Sequence, residues 1–238
     1  YNNASEFYRA ENGQPIGYFW GYKTAGIFQN TQEIDEWRAA GNGILQSNVQ
    51  PGDVRFVDRN HDGQINDKDK VNLGNGTPDF TLGLNLGFVY KGFDFSIVAN
   101  GAFGQQIVQS YRNHTRPTPN YTTAILDRWH GEGTSNRIPR VTDSNINYQF
   151  SDLFIQNGDY LRLSTLTLGY DFAKLFKGKA VSQARLYFQV QNLFIITGYD
   201  GMDPEIGFGS SNNSWVSGLD YGYYPRPRTV LVGVNLKF

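Results

Sequence analysis

Hydrophobic and polar residues alternate with a period of two in five stretches of this chain, and each predicts a β-strand. Residues 80–90 set Leu82, Leu84, Leu86, Phe88 and Tyr90 against Gly83, Asn85, Gly87 and Val89. Residues 93–103 set Phe93, Phe95, Ile97, Ala99 and Phe103 against Asp94, Ser96 and Asn100, with a continuation expected to about Tyr111. Residues 160–172 gather Leu166, Leu168, Tyr170 and Phe172, and residues 184–196 gather Ala184, Leu186, Phe188 and Val190. Residues 229–238 put Val230, Val232, Val234, Leu236 and Phe238 on one face and Leu231, Gly233, Asn235 and Lys237 on the other. Residues 16–27 are aromatic and β-branched and predict a sixth strand.

The connections alternate in length. Lys91-Gly92 and residues 173–183 are short, whereas residues 28–79, 112–159 and 197–226 are long and rich in Gly, Asn, Asp, Pro and Thr. A soluble sandwich has no reason to keep that alternation. A transmembrane antiparallel β-barrel has one, because its turns on the periplasmic side are short and its outer loops long. The polar faces carry Asn, Gln, Ser and Gly, which suits a wet lumen better than a second packed sheet. The expected fold is therefore all-β, and the three long segments are expected to be extracellular loops. Six strands are too few to close a membrane barrel, so the chain is expected to supply part of one. Tyr1–Ser5 has no Met and no signal-peptide pattern, which fits a mature chain or a fragment.

Composition narrows the partners. The 238 residues carry 21 Lys+Arg against 22 Asp+Glu, so no basic field is available for a nucleic-acid backbone. With no Cys, disulfides, thiolate nucleophiles and Cys-bound metals are excluded. There is no G-x-S-x-G elbow and no phosphate-binding Gly-Lys loop, and His61, His114 and His130 share no ligand spacing, so the chain is not expected to be an enzyme.

Three stretches, Asn157 to Phe172 (NGDYLRLSTLTLGYDF), Leu186 to Ile206 (LYFQVQNLFIITGYDGMDPEI) and Tyr224 to Phe238 (YPRPRTVLVGVNLKF), resemble the closing strands of SusC/RagA-type TonB-dependent transporters. Ile125 to Val141 and Pro51 to Ile97 resemble further stretches of that family. The resemblance implies a 22-stranded plugged barrel of which this chain is the C-terminal part and supplies about the last six strands. It implies location in the outer membrane of a Gram-negative, Bacteroidetes-type bacterium and import of an oligosaccharide or a peptide. The implied partners are a SusD-like surface lipoprotein, the TonB system, membrane lipid and the barrel-assembly machinery, which would read Val234, Leu236 and Phe238 as an assembly signal. The competing reading is a secreted calcium-stabilised β-domain that binds glycan, as an adhesin or lectin.

Residues 58–69 match the calcium-loop pattern D-x-N-x-D-G-x-I-x-x-x-D. Calcium needs six to eight oxygens, taken from positions 1, 3, 5, 7, 9 and 12 of such a loop. The candidates are Asp58, Asn60, Asp62, the Gln64 carbonyl, Asn66 and Asp69, with Gly63 at the turn and Ile65 as an anchor. Asp69 stands where an EF-hand has Glu. Mg²⁺, Na⁺ or an ion-free turn also fit these residues; Ca²⁺ is the expected, structural cofactor. Aromatic residues in the long connections, namely Trp37, Trp129, Trp215, Tyr199, Tyr221, Tyr223 and Tyr224, are candidates for substrate or lid contact, and packing of the loops is the alternative. Tyr18, Trp20, Tyr22 and Tyr90 are expected in interfacial aromatic girdles.

Overall fold

A computed structural model describes residues 7–39, 48–110, 121–144, 146–173, 181–206 and 217–238. The chain divides into two compact units. One comprises Pro78–Gln105, Asn157–Glu205 and Tyr223–Phe238, and the other comprises Tyr1–Thr77, Gln106–Gln156 and Ile206–Gly222.

The first unit is a single antiparallel sheet of five long strands: β1 (Phe80–Tyr90), β2 (Phe93–Phe103), β3 (Tyr160–Asp171), β4 (Gln183–Thr197) and β5 (Thr229–Lys237). Their order in the sheet is β5-β4-β3-β2-β1. All five were predicted within one or two residues. β1 and β2 meet in a two-residue hairpin at Lys91 and Gly92, whose φ angles are 50° and 92°. Positive φ at both turn positions matches the right-handed twist of the strands it joins. Strands of 9 to 15 residues have the length needed to cross a bilayer at the tilt of a barrel. Among the described residues no helix is long and apolar enough to cross a membrane, a criterion that says nothing of strands.

At Ser164 the register slips. Leu163 opposes Ala99, but Thr165 opposes Val98. On the other side Leu163 opposes Phe194 and Thr165 opposes Gln191, so Asn192 and Leu193 face one residue. Asn192 takes φ 52°, a conformation Asn tolerates better than most side chains. The bulge moves the apolar positions of β3 from Leu161 and Leu163 to Leu166, Leu168 and Tyr170 without changing their face.

The second unit has no long strand among its described residues. Tyr18–Gly21 pairs with Tyr8–Arg9 and Val71–Asn75. Thr24–Ile27 pairs with Val54–Phe56, and Leu219–Asp220 pairs with Gln106–Gln109. The helix Thr31–Trp37 begins at Asn30, whose side chain accepts a bond from the Glu33 amide. One core joins Phe7, Tyr8, Phe19, Val108, Phe150, Phe154 and Leu219. A smaller one joins Tyr22, Val54 and Phe56, with Ile65 packed against it.

Here the structure departs from expectation. The predicted strand at residues 16–27 is two short strands in two small sheets, and neither joins the five-stranded sheet. Tyr18, Trp20 and Tyr22 are thus not girdle residues; Tyr18 and Tyr22 are buried in the second unit. The predicted run of β2 to Tyr111 breaks at Gly104, and Gln106–Gln109 belongs to a different sheet. The long connections hold helix, 3-10 turns and short strands of their own, in keeping with the packing of loop aromatics given as the alternative above.

Candidate functional site

The site begins with the two faces of the five-stranded sheet. Directly opposed residues share a face, so the register sorts the side chains into rows across the strands. One face carries Tyr90, Phe93, Tyr170, Leu186 and Val234 in one row, then Phe88, Phe95, Leu168, Phe188 and Val232, then Leu86, Ile97, Leu166, Val190 and Val230. Beyond the bulge it continues through Leu84, Ala99, Leu163 and Phe194, and through Leu82, Gly101, Leu161 and Ile196. Every residue in these rows is apolar or a tyrosine. Many are exposed, Val232 at 70% and Phe88 at 62%. Soluble monomers rarely leave so large a continuous apolar surface open. Aromatic rings mark both ends: Phe93 and Tyr170 pack 4.5 Å apart near the hairpin, and Phe80 stacks on Phe103 at 4.7 Å at the other end.

The opposite face is polar, interrupted by Val89, Val98, Ile195 and Leu231. Asn85, Thr165, Gln191 and Thr229 share one row, and Ser96, Thr167 and Gln189 share the next. Asp94 and Arg185 form a two-pronged pair, 2.7 Å at Nε and 2.5 Å at Nη2. Gly169 lies between their strands, and a Cβ there would come within 2.3 Å of Asp94. Tyr187 lies over Gly233 in the same way. The expected relief of crowding by strand glycines is therefore visible at 169 and 233, whereas Gly83 and Gly87 border open space in this chain.

The strongest charge cluster on this face was not singled out by sequence reasoning. Arg162 is 4% exposed, and its Nη2 donates to Asp203 Oδ1 at 2.6 Å. Arg162 Nε stands 3.0 Å from Glu205 Oε2, as an ion contact without the alignment of a hydrogen bond. Glu205 in turn pairs with Arg226 at 2.9 Å. A charged residue near the start of a predicted strand was the available signal, because a buried Arg there needs a partner that sequence separation hides.

The second unit contains a comparable buried network, also missed. Asp53 is fully buried; it accepts bonds from Arg140 Nε at 2.8 Å, Asn147 Nδ2 at 3.0 Å and the Gln50 amide at 2.8 Å. Asn147 Oδ1 accepts from the Val54 amide at 2.9 Å. The network ties residues 50–54 to residues 140–147, two segments far apart in sequence.

In the loop 58–69 the chain closes on its own side chains. Asp58 Oδ2 accepts from the Gly63 amide at 2.9 Å, and Asp69 accepts from the Arg59 and Asn66 amides, each at 2.9 Å. Asn60 donates to Asp62 at 2.8 Å, and this bond is the main reason the Asp62 carboxyl lies below its ordinary range. Asp58 Oδ1 is buried and has no hydrogen-bond partner. Among the described residues no three carboxylate, imidazole or thiol side chains gather at one point; the remaining donors in the loop are carboxamides and a main-chain carbonyl.

No family model matches the chain. TonB-dependent receptor P3 of Formosa agariphila is 33% identical over 95% of this chain. TonB-dependent receptor SusC of Bacteroides thetaiotaomicron is 32% identical over 82% of it. The solved structure of the RagAB peptide transporter superposes on 96% of this chain with a TM-score of 0.68 at 22% identity, a likeness of fold. The chain carries the sequence and fold of a segment of the SusC/RagA-type TonB-dependent receptors. It spans 22% of the P3 receptor, 18% of SusC and 23% of the RagAB chain it matches.

Within this receptor segment the described candidate aromatics play different parts. Trp37 packs edge-on to Phe28 at 6.2 Å and carries the Arg55 guanidinium at 4.9 Å. Trp129 lies on Gly52, where a Cβ would come within 2.4 Å of the ring, and its Nε1 donates to Gln29 at 3.2 Å. Tyr199 is 5% exposed. These three rings serve packing. Tyr221, Tyr223 and Tyr224 are exposed, Tyr224 at 87%. Trp215 lies outside the described residues. Of the candidate assembly signal, Val234 opposes Leu186 and Leu236 opposes Ala184 on the apolar face, and Phe238 follows the last strand residue, 84% exposed.

Proposed function

We propose that this chain is the C-terminal part of the wall of an outer-membrane importer, with the apolar face of the sheet toward lipid and the polar face toward the lumen. The observation that carries this reading is the division of five paired strands into unbroken apolar rows and a polar face. A water-soluble glycan-binding β-domain would have to cover those rows. β1 and β5 each have one partner strand, and open edges in hydrocarbon cost several kcal/mol per unpaired group, about the cost of a buried unsatisfied amide. The barrel therefore closes with strands supplied by the rest of the receptor, this chain contributing five of the 22 rather than the six expected from the sequence.

The hairpin at Lys91 is assigned to the periplasmic side, and the connections at 28–79, 112–159 and 197–226 to the cell exterior. There the exposed Tyr221, Tyr223 and Tyr224 are the residues offered to substrate or to a SusD-like surface lipoprotein. The cargo is an oligosaccharide or a peptide: the neighbour in fold is by its name a peptide transporter, and the oligosaccharide class is what the sequence resemblance to the SusC/RagA type implies. The receptor draws energy from the TonB system through regions outside this chain, performs no covalent chemistry, and depends on barrel-assembly machinery for insertion.

Uptake of labelled oligosaccharide and peptide mixtures by cells with and without the full-length receptor tests the reading. One mixture should be lost on deletion and also on collapse of the proton gradient. Unchanged uptake of both mixtures would sink it.

A further inference from the structure

We propose that the loop 58–69 is a calcium site, held by Asp58, Asn60, Asp62, the Gln64 carbonyl, Asn66 and Asp69, and that the ion locks this loop onto the core beneath it.

Asp58 opens the loop at its first position. Its side chain is 2% exposed, and one carboxylate oxygen is engaged by the Gly63 amide across the loop. The other oxygen is buried with no partner. An unpaired buried carboxylate oxygen is costly, and native structures rarely keep one without a hidden partner such as an ion. The loop itself holds Asp58, Asp62, Asp67 and Asp69 against Arg59 and Lys68, and Asp67 is already paired with Lys70 at 2.7 Å. No cation of the loop reaches Asp58. A hard divalent ion would answer both the orphaned oxygen and the excess of negative charge.

The other donors are in keeping with that ion. Gly63, at φ 80°, turns the chain where a calcium loop needs its sixth residue to turn. Each carboxylate has about four acceptor sites. Asp69 can thus bind the ion while holding the Arg59 and Asn66 amides. The donors are all oxygens, two of them carboxamides and one a main-chain carbonyl, which selects a hard cation over a transition metal. Calcium is favoured over magnesium because a flexible set of six or more mixed oxygens suits the larger ion.

The site has a route to the surrounding fold. Ile65, at the loop's eighth position, packs against the cluster of Tyr22, Val54 and Phe56. Lys70 lies 5.2 Å from the centre of the Tyr22 ring. Burial, with the charges of Asp67 and Asp69 behind it, pushes the Tyr22 phenol up to about 12. Tyr22 belongs to the cluster on which Ile65 of the loop packs, so it is the tyrosine to excite as an optical reporter of an ion in the loop.

The test uses the full-length receptor, purified in detergent and stripped with a chelator. Bound calcium is counted by equilibrium dialysis, Tb³⁺ luminescence is excited through tyrosine, and protease cleavage within residues 51–74 is timed. Wild type should bind one more Ca²⁺ than Asp58→Asn or Asp62→Asn; Asp62 is exposed, so its variant does not depend on tolerance of a core change. At a calcium concentration of 100 Kd, cleavage through loop opening should slow about 100-fold in wild type alone. Asp127→Asn, an exposed carboxylate elsewhere, should behave as wild type. Equal calcium counts in wild type and both loop variants would overturn the site, and equal protection by Mg²⁺ would overturn its assignment to calcium. None of these readouts requires transport, so failure of the import reading and failure of the ion site can be told apart.

Discussion

Arginine at Val232 should destabilise the assembled receptor by about 2–4 kcal/mol, whereas arginine at Leu231, the adjacent residue, should cost under about 1 kcal/mol. The two positions differ in face alone. Val232 stands in the apolar row with Phe188, Leu168, Phe95 and Phe88. Leu231 stands opposite Gln189, in a row with Thr167 and Ser96. A charge near mid-strand on the lipid face must be carried into hydrocarbon, but the same charge on the other face meets water. The measurement is the fraction of heat-modifiable barrel in outer membranes of cells expressing each full-length variant. Equal losses at both positions would show that the faces are not distinguished by lipid.

The second large effect concerns the buried charges of the polar face. Arg162→Met should cost about 3–5 kcal/mol, because it leaves a buried partner charge uncompensated. Asp203 is 6% exposed, and it also accepts bonds from the Glu205 amide at 2.9 Å and the Arg226 amide at 3.4 Å. Loss of Arg162 would therefore loosen residues 203–205, which follow β4, as well as β3 itself. Adding Asp203→Asn should recover part of the loss, since the unpaired charge is then gone. Unfolding of the purified receptor in denaturant would measure both variants. A single variant as stable as wild type would mean that water, not Arg162, balances these carboxylates.

The five strands of the sheet were legible because each repeats one rule over nine or more residues. Thr229–Lys237 keeps an apolar residue at every second position, and so does Phe80–Tyr90, with Leu231 and Val89 the lone apolar residues on their other faces. A one-residue slip would turn every side chain to the wrong face, so the pattern is strongly specified. The bulge at Ser164 shows how the rule fails locally: the apolar positions change phase, and sequence reading grouped Leu166, Leu168 and Tyr170 but left Leu161 and Leu163 aside. The second unit was not legible as a folded body. Its strands run from two to five residues, too short for periodicity to appear. Its core is made by contacts such as Phe7 on Phe150, with ring centres 4.3 Å apart, between residues more than a hundred positions apart in the chain. Residues 16–27 misled for a related reason. β-branched and aromatic residues report fitness for a half-buried pleated surface, not which sheet supplies it.

The candidate site was legible in parts of different kinds. The polar lining followed from alternation, and the loop 58–69 from a spacing set by ion chemistry. The networks around Arg162 and Asp53 did not follow, since their partners lie 41 and 87 residues away. Nor could the sequence say which aromatic rings are spent on packing. Trp129 needs Gly52 beneath it, and that contact exists only in the fold.

The central claim is that the sheet separates lipid from water. Spin labels placed singly at residues 230 to 236 of the full-length receptor, reconstituted in bilayers, test it most directly. Collision with dissolved oxygen reports lipid, and collision with a water-soluble nickel chelate reports the lumen. Labels at Val230, Val232, Val234 and Leu236 should meet oxygen, and labels at Leu231, Gly233 and Asn235 should meet nickel, alternating residue by residue. Accessibility to nickel at every position, or an alternation of the opposite phase, would contradict the account.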